Sequence, residues 1–311
     1  MWHRRRSGVD EVLQRAAALP AGDYRRWNLL DDLNRADQRE VVAEAGRLLG
    51  SESVDDRVLG AQIFDVHVLS HDPHAAEARA ITPLLRAACA PDQEPSVIEA
   101  ALGPYLMLEP AELGRPRELV RHADARVRRR AVWILATVDR SAATELPGEG
   151  EQPDLDVVRE LLAHDPDQAV REEAASGLEW MYYDLASAGR HPAALSISAY
   201  LQTFLGDPVA GVRAAALAVT IDASDQARPS AVEDLVRELA DPAVDWRLVS
   251  LVGSLRVFLD PERADAVRAA LVVLRTEGWP AATGSAERYP DVVEREQLLE
   301  NGIEHLRSPV I

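Results

Sequence analysis

The chain has one cysteine, Cys89, and no lysine among its 311 residues. A single cysteine excludes an intrachain disulfide and any paired-cysteine metal site, and a reducing, cytoplasmic compartment is expected. Cys89 sits among Ala and Leu and reads as a small buried hydrophobe. Aromatic residues are scarce, 5% of the chain against 47% hydrophobic residues, as expected where Ala and Leu fill helix-helix seams. No apolar run is long enough to span a bilayer, so no membrane partner is expected. The basic start Met1-Trp2-His3-Arg4-Arg5-Arg6 is followed by polar residues where an apolar stretch would have to begin, and no export signal is expected. All 34 cations are Arg, set against 52 acidic residues for a formal charge of −18. That excess opposes general binding to a phosphate backbone, disfavours nucleic acid as a partner, and is compatible with a basic protein.

What the chain does have is a recurring turn. Asp165-Pro166-Asp167-Gln168-Ala169-Val170-Arg171-Glu172-Glu173-Ala174 returns as Asp207-Pro208 with Val212-Arg213 and Ala216, and as Asp124 with Val127-Arg128 and Ala131. A weaker copy is Asp241-Pro242 with Trp246-Arg247. Asp accepts hydrogen bonds from unpaired amides at a helix start, and Pro fits the first helical turn, so the turn is expected to open a helix. Four residues after the Val, an Ala falls on the same face and lets a neighbouring helix approach closely. Val127, Val170 and Val212 stand 43 and 42 residues apart. A period near forty, with an apolar helix on each side of the turn, marks a stacked array of helical hairpins.

In these residues the chain resembles the HEAT-repeat family: an apolar helix ending in Leu, then Asp-Pro, Val-Arg and a spaced Ala, clearest over 116–260. The resemblance implies an all-α fold, an α-solenoid (superhelix) of about six HEAT-like helical hairpins with N- and C-terminal capping helices. The expected segments are a helical cap over 1–36, a repeat array over 37–260 and a second cap over 261–311, in one continuous domain. Hairpins are expected at 37–49 with 55–70, 76–89 with 95–108, 117–122 with 124–138, 155–163 with 168–186, and 193–205 with 209–221. The breaker-rich, acidic stretch 144–153 reads as an exposed loop. The second helix of a sixth hairpin, 246–255, is apolar nearly all round and is expected to be covered by the C-terminal segment.

Arg115, Arg117, Arg121, Arg126, Arg128, Arg129 and Arg130 form a basic island in this acidic chain. With Val127, Ala131 and Leu135 on the buried face of their helix, Arg129, Trp133 and Ala136 fall opposite. A Trp beside Arg is a suitable anchor for a partner. One repeat later the same positions hold Glu172, Ser176 and Glu179, with Trp180 next and Tyr183 a turn further. The candidate binding residues are therefore Arg129, Arg130, Trp133, Glu172, Ser176, Glu179, Trp180 and Tyr183. The plainer alternative pairs Arg128 and Arg171 with Asp residues of adjacent turns and packs Trp133 between repeats. His67, His71 and His74, near Asp65 and Asp72, are a weak metal candidate, since a four-residue step puts two imidazoles on one helical face. A helix end near Leu69 or Ser70, followed by an Asp72-Pro73 start, accounts for the same residues. No metal or cofactor is expected.

Similarity to HEAT proteins covers scaffolds, receptors and some enzymes, so it fixes architecture better than function. Deoxyhypusine hydroxylase, an enzyme of this kind, carries iron on repeated His-Glu pairs, and none of the eight histidines here precedes a Glu. HEAT-like alkylpurine DNA glycosylases use aromatic, acidic and Arg side chains on a basic concave face. Trp133, Trp180, Tyr183 and the Arg island supply those residue types, but no motif aligns and the net charge has the wrong sign. No Gly-x-Ser-x-Gly elbow or phosphate-binding Gly loop is present. The expected function is a non-enzymatic protein-binding scaffold or adaptor that uses the concave face and neutralises a basic partner, such as a nuclease toxin. A HEAT-like DNA-binding enzyme is the alternative.

Overall fold

The Asp-Pro turn divides its work between two carboxylates in the computed structural model of the chain. Asp165 accepts the Asp167 N–H at 2.9 Å, and Asp207 accepts the Val209 N–H at 2.8 Å, so each closes a short turn through its side chain. Capping falls to Asp167, which accepts from the amides of Ala169 and Val170. Pro166 and Pro208 thus lie inside the turn, two residues ahead of helices that begin at Gln168 and Ala210, rather than in the first helical turn as expected. Their fixed φ suits a turn just as it suits a helix start, which is why composition alone misplaces them.

The structure describes residues 8–70, 76–109, 112–137, 153–241, 244–255, 259–277 and 292–306. Among them every regular element is helical: sixteen α-helices, two 3₁₀ turns and no strand. The chain is an all-α protein built from the helical hairpins of an α-solenoid. It divides into two units, residues 1–157 and 158–311.

In the first unit, α1 (Gly8–Ala17), α2 (Tyr24–Asp31) and a 3₁₀ turn (Asp32–Arg35) precede three hairpins. These are α3 (Gln38–Leu49) with α4 (Val54–Ser70), α5 (Ala76–Ala88) with α6 (Pro95–Leu108), and α7 (Gly114–Leu119) with α8 (Ala125–Thr137). Alternate helices also pack side by side, α4 on α6 and α6 on α8 in one layer, α3 on α5 in the other. A period near forty produces this arrangement, because each hairpin buries its second face only against the next. Helix α9 (Pro153–His164) starts at the end of this unit.

The second unit repeats the plan. Helices α10 (Gln168–Ser187), α12 (Ala210–Ala223), α14 (Trp246–Ser254) and α16 (Val292–His305) form one layer. Helix α11 (His191–Leu201), extended by a 3₁₀ turn (Gln202–Phe204), packs on α10 and α12, while α13 (Arg228–Leu239) packs on α12, α14 and α15 (Pro261–Glu277). Leu248, Val249, Leu251 and Val252 of α14 share a core with Val267, Leu271 and Leu274 of α15 and with Leu299 and Ile303 of α16. The last segment does cover α14, but Gly253 and Ser254 remain exposed. The helix enclosed almost all round is α12, where Ala214, Ala215, Ala216 and Ala218 are all buried. Small side chains there let four neighbouring helices close in, which long apolar residues would not.

The anchors behave as their spacing predicts: Val127, Val170 and Val212, and Ala131, Ala174 and Ala216, all have 0% relative exposure. Leu84 of α5 is 38% exposed, because it falls at the edge of the stripe formed by Ile81, Leu85 and Ala88. The loop assigned to 144–153 lies outside the described residues except for Pro153, which opens α9. Residues 278–291 are likewise outside them. No helix among the described residues is long and apolar enough to cross a membrane.

Two measurements test this packing. A Cβ at Gly60 would lie 2.8 Å from the Ala45 carbonyl oxygen and the Leu49 nitrogen, backbone atoms that cannot swing aside. Gly60→Ala gains about 1 kcal/mol of helix propensity but overpacks the α3–α4 contact by about 1–3 kcal/mol, so a net loss is expected in denaturant titration. Burial pushes the Cys89 thiol up to about 12; it should be inert to thiol reagents at pH 8 in the native protein and react fully once denatured.

Candidate interaction faces

Helix α8 buries Val127, Ala131, Ile134 and Leu135, which turns Arg129, Arg130 and Trp133 to the other side. Ala136, placed on that side by the same count, is buried instead. The arginines are not idle there. Arg129 pairs with Glu99 of α6 at 3.2 Å. Arg130 reaches past α6 to Asp65 of α4 at 3.5 Å, and its guanidinium lies 4.6 Å from the centroid of the Trp133 ring. Gly103 of α6 makes this crossing possible, since an added Cβ would sit 2.1 Å from an Arg130 nitrogen and 3.2 Å from an Asp65 oxygen. Desolvation raises the Asp65 carboxyl above its ordinary value, and Arg130 pulls it back.

Four more arginines of the basic island are also engaged. Arg115 pairs with Glu118, Arg117 with Asp154, and Arg126 with Asp124. Arg128 donates to the carbonyls of His122 and Ala123 at 2.9 and 3.0 Å, closing its own turn. Arg213 does the same with Asp207 and Pro208 and adds a 2.7 Å bridge to Glu238. Arg171 does face Asp207, at 3.8 Å.

The second unit builds the same crossing again. Glu172 of α10 meets Arg247 of α14 at 2.7 Å across Gly211 of α12, where a Cβ would lie 2.9 Å from the Glu172 side chain and 3.2 Å from that of Arg247. Arg247 also pairs with Asp245 at 3.3 Å and lies 5.2 Å from the Trp246 ring centroid. Both units therefore carry the same group: an acid, a glycine and an arginine on three successive helices of a layer, with a tryptophan under the arginine. Sequence reasoning missed Asp65, Gly103, Gly211, Trp246 and Arg247 as members of it. The available signal was Gly103, an interior glycine that costs its helix about 1 kcal/mol against alanine unless something must pass over it.

Farther along α10, Trp180 is 64% exposed, against 38% for Trp133. Ser176, Glu179 and Tyr183 are half-buried around it and Asp184 is exposed. The Tyr183 ring meets that of Tyr182 edge-on, and the Tyr182 hydroxyl donates to Asp222 at 2.8 Å. The candidate residues thus fall into two sets: Arg129, Arg130 and Trp133 on α8 of the first unit, and Glu172, Ser176, Glu179, Trp180 and Tyr183 on α10 of the second. His71, His74 and the His67 side chain lie outside the described residues. Among the described residues no three His, Cys, Asp or Glu side chains converge as metal ligands.

Residues 117–219 match the family profile for HEAT repeats. Over that stretch the chain consists of HEAT repeats. The match runs from α7 through most of α12. No curated protein matches the chain significantly. Solved structures similar to it include Kap121p bound to Ste12p, at 14% identity and a TM-score of 0.51, and Kap121p bound to Nup53p, at 13% identity and 0.52. In both, 96% of this chain is covered but only 32% of Kap121p, so the chain spans about a third of that protein's length. YibA of Escherichia coli aligns over 99% of this chain and 100% of its own at 14% identity, with a TM-score of 0.49.

The crossing in the second unit fixes the sign of a pH effect. Burial raises the Glu172 carboxyl above its ordinary 4.5, while Arg247 opposes the shift. The fold therefore holds this proton to higher pH than the unfolded chain does, and the stability tied to it is lost as pH rises from 4.5 through the folded midpoint. Arg247→Ala should move that midpoint further up, read by carbon-detected NMR titration of the Glu172 carboxyl. A midpoint unmoved by the substitution would mean that the pair does not form.

Proposed function

We propose that this chain is a non-catalytic protein-binding scaffold whose partner is basic. The observation that carries the reading is Trp180, 64% exposed on a helix that also bears Glu173, Glu179 and Asp184, in a chain of net charge −18. A large indole left in water is costly surface unless a partner covers it, and tryptophan is enriched among the residues that dominate binding energy. The solved structures of Kap121p with Ste12p and with Nup53p are cases of a similar fold holding protein partners. On this reading α1 and α2, and α15 and α16, cap a repeat array over 37–260, as the ends of a solenoid require. A reducing cytoplasmic location fits the buried Cys89 thiol.

Binding to a nucleic-acid backbone would draw on the Arg island. Arg115, Arg117, Arg126, Arg129 and Arg130 are matched one to one by carboxylates, so few counterions remain to be released on contact with phosphate. The full-length chain, immobilised and exposed to cytosolic extract at low ionic strength, should retain basic proteins that elute as salt rises, and should not retain duplex DNA. Retention of alkylated duplex with release of the damaged base would replace this reading with the enzymatic one.

A further inference from the structure

Twice within its own fold the chain satisfies a tryptophan in the same way. On α8, Arg130 covers Trp133 at 4.6 Å and pairs with Asp65; on α14, Arg247 covers Trp246 at 5.2 Å and pairs with Glu172 and Asp245. In both groups the cation is Arg, whose planar guanidinium stacks on a ring while its edge still meets a carboxylate. Trp180 presents the other two parts of that group. At about 100° per residue on a helix, Asp184 lies about 40° around α10 from Trp180 and one turn on, with Glu173 about 20° away and two turns back. Residues four apart on a helix stand about 6 Å from each other, the distance over which one guanidinium can touch both a ring and a carboxylate. Among the described residues no guanidinium covers the Trp180 ring.

We propose that the α10 face bearing Trp180 and Asp184 is a receptor for an arginine side chain of the partner, which completes in trans the arginine-tryptophan-carboxylate group that α8 and α14 complete within the chain. The indole supplies the stacking surface and Asp184 the charge-assisted hydrogen bond. The charge of −18 draws in such a segment and repels an acidic one. This proposal rests on the basic-partner reading and narrows it to one helix face and one side-chain type.

The test uses the full-length chain with tryptophan side-chain N–H groups labelled for NMR, titrated with a capped peptide of alternating Arg and Gly. Matched peptides carrying Lys or uncharged citrulline serve as comparisons. The Trp180 signal, assigned by its loss in Trp180→Ala, should move with the Arg peptide, less with Lys and not with citrulline. Trp180→Ala should weaken Arg-peptide binding about tenfold, and Asp184→Asn by a few-fold at low salt, within the range of one stacking contact and one exposed ion pair. Because both side chains are exposed, neither variant should alter the thermal midpoint. Equal binding by wild type and Trp180→Ala overturns the receptor while leaving the basic-partner reading standing. No response to either cationic peptide overturns both.

Discussion

Close approach between alternate helices is the constraint on which the rest of the structure depends. Each hairpin can hide only one of its faces, so α4, α6 and α8, and likewise α10, α12, α14 and α16, must lie side by side along their length. Residues at the contacts are accordingly small or β-branched: Val127 and Ala131, Val170 and Ala174, Val212 and Ala216. At Gly60 an added Cβ would lie 2.8 Å from backbone atoms of the facing helix. The scarcity of aromatics and the abundance of alanine are consequences of that spacing. A helix such as α12, enclosed by four others, has no room for rings.

The same proximity decides the fate of the charges. When helices pack this tightly, an arginine on one can pass over a glycine on the next and reach an acid two helices away, as Arg130 does to Asp65 and Arg247 to Glu172. Pairs of this kind are partly withdrawn from water, so losing one partner leaves the other poorly solvated and is costlier than breaking a surface pair. Each such pair also ties non-adjacent hairpins together, a link that ordinary neighbour contacts in a repeat array do not supply. Arg129 and Arg130 of the cationic island thus tie neighbouring helices of an acidic chain together.

The repeat was legible in the sequence because its signal is periodic. Val at 127, 170 and 212, with Ala four residues later, predicts the seam, and the hairpin spans follow from it. Register inside the turn was not legible, since Asp-Pro suits both a side-chain-closed turn and a helix start, and only hydrogen bonding separates Asp165 from the capping Asp167. Helical counting correctly turned Arg129 and Trp133 away from the core but said nothing of Glu99, 30 residues from Arg129, or Asp65, 65 residues from Arg130. Such partners are set by how helices stack, and a pattern confined to one helix cannot find them. Apolar content correctly pointed to cover over 246–255 by the C-terminal segment, but did not single out α12, whose enclosure follows its position in the layer.

The claim that long-range pairs engage the arginines inside each unit is tested most directly by a double-mutant cycle on Asp65→Asn and Arg130→Met, read from unfolding in denaturant at low and high salt. A coupling of about 1–3 kcal/mol that persists at high salt is expected for a partly buried, directly interacting pair. Additive effects, with no coupling at either salt concentration, would mean that Arg130 faces solvent and that the basic island is available to bind a phosphate backbone.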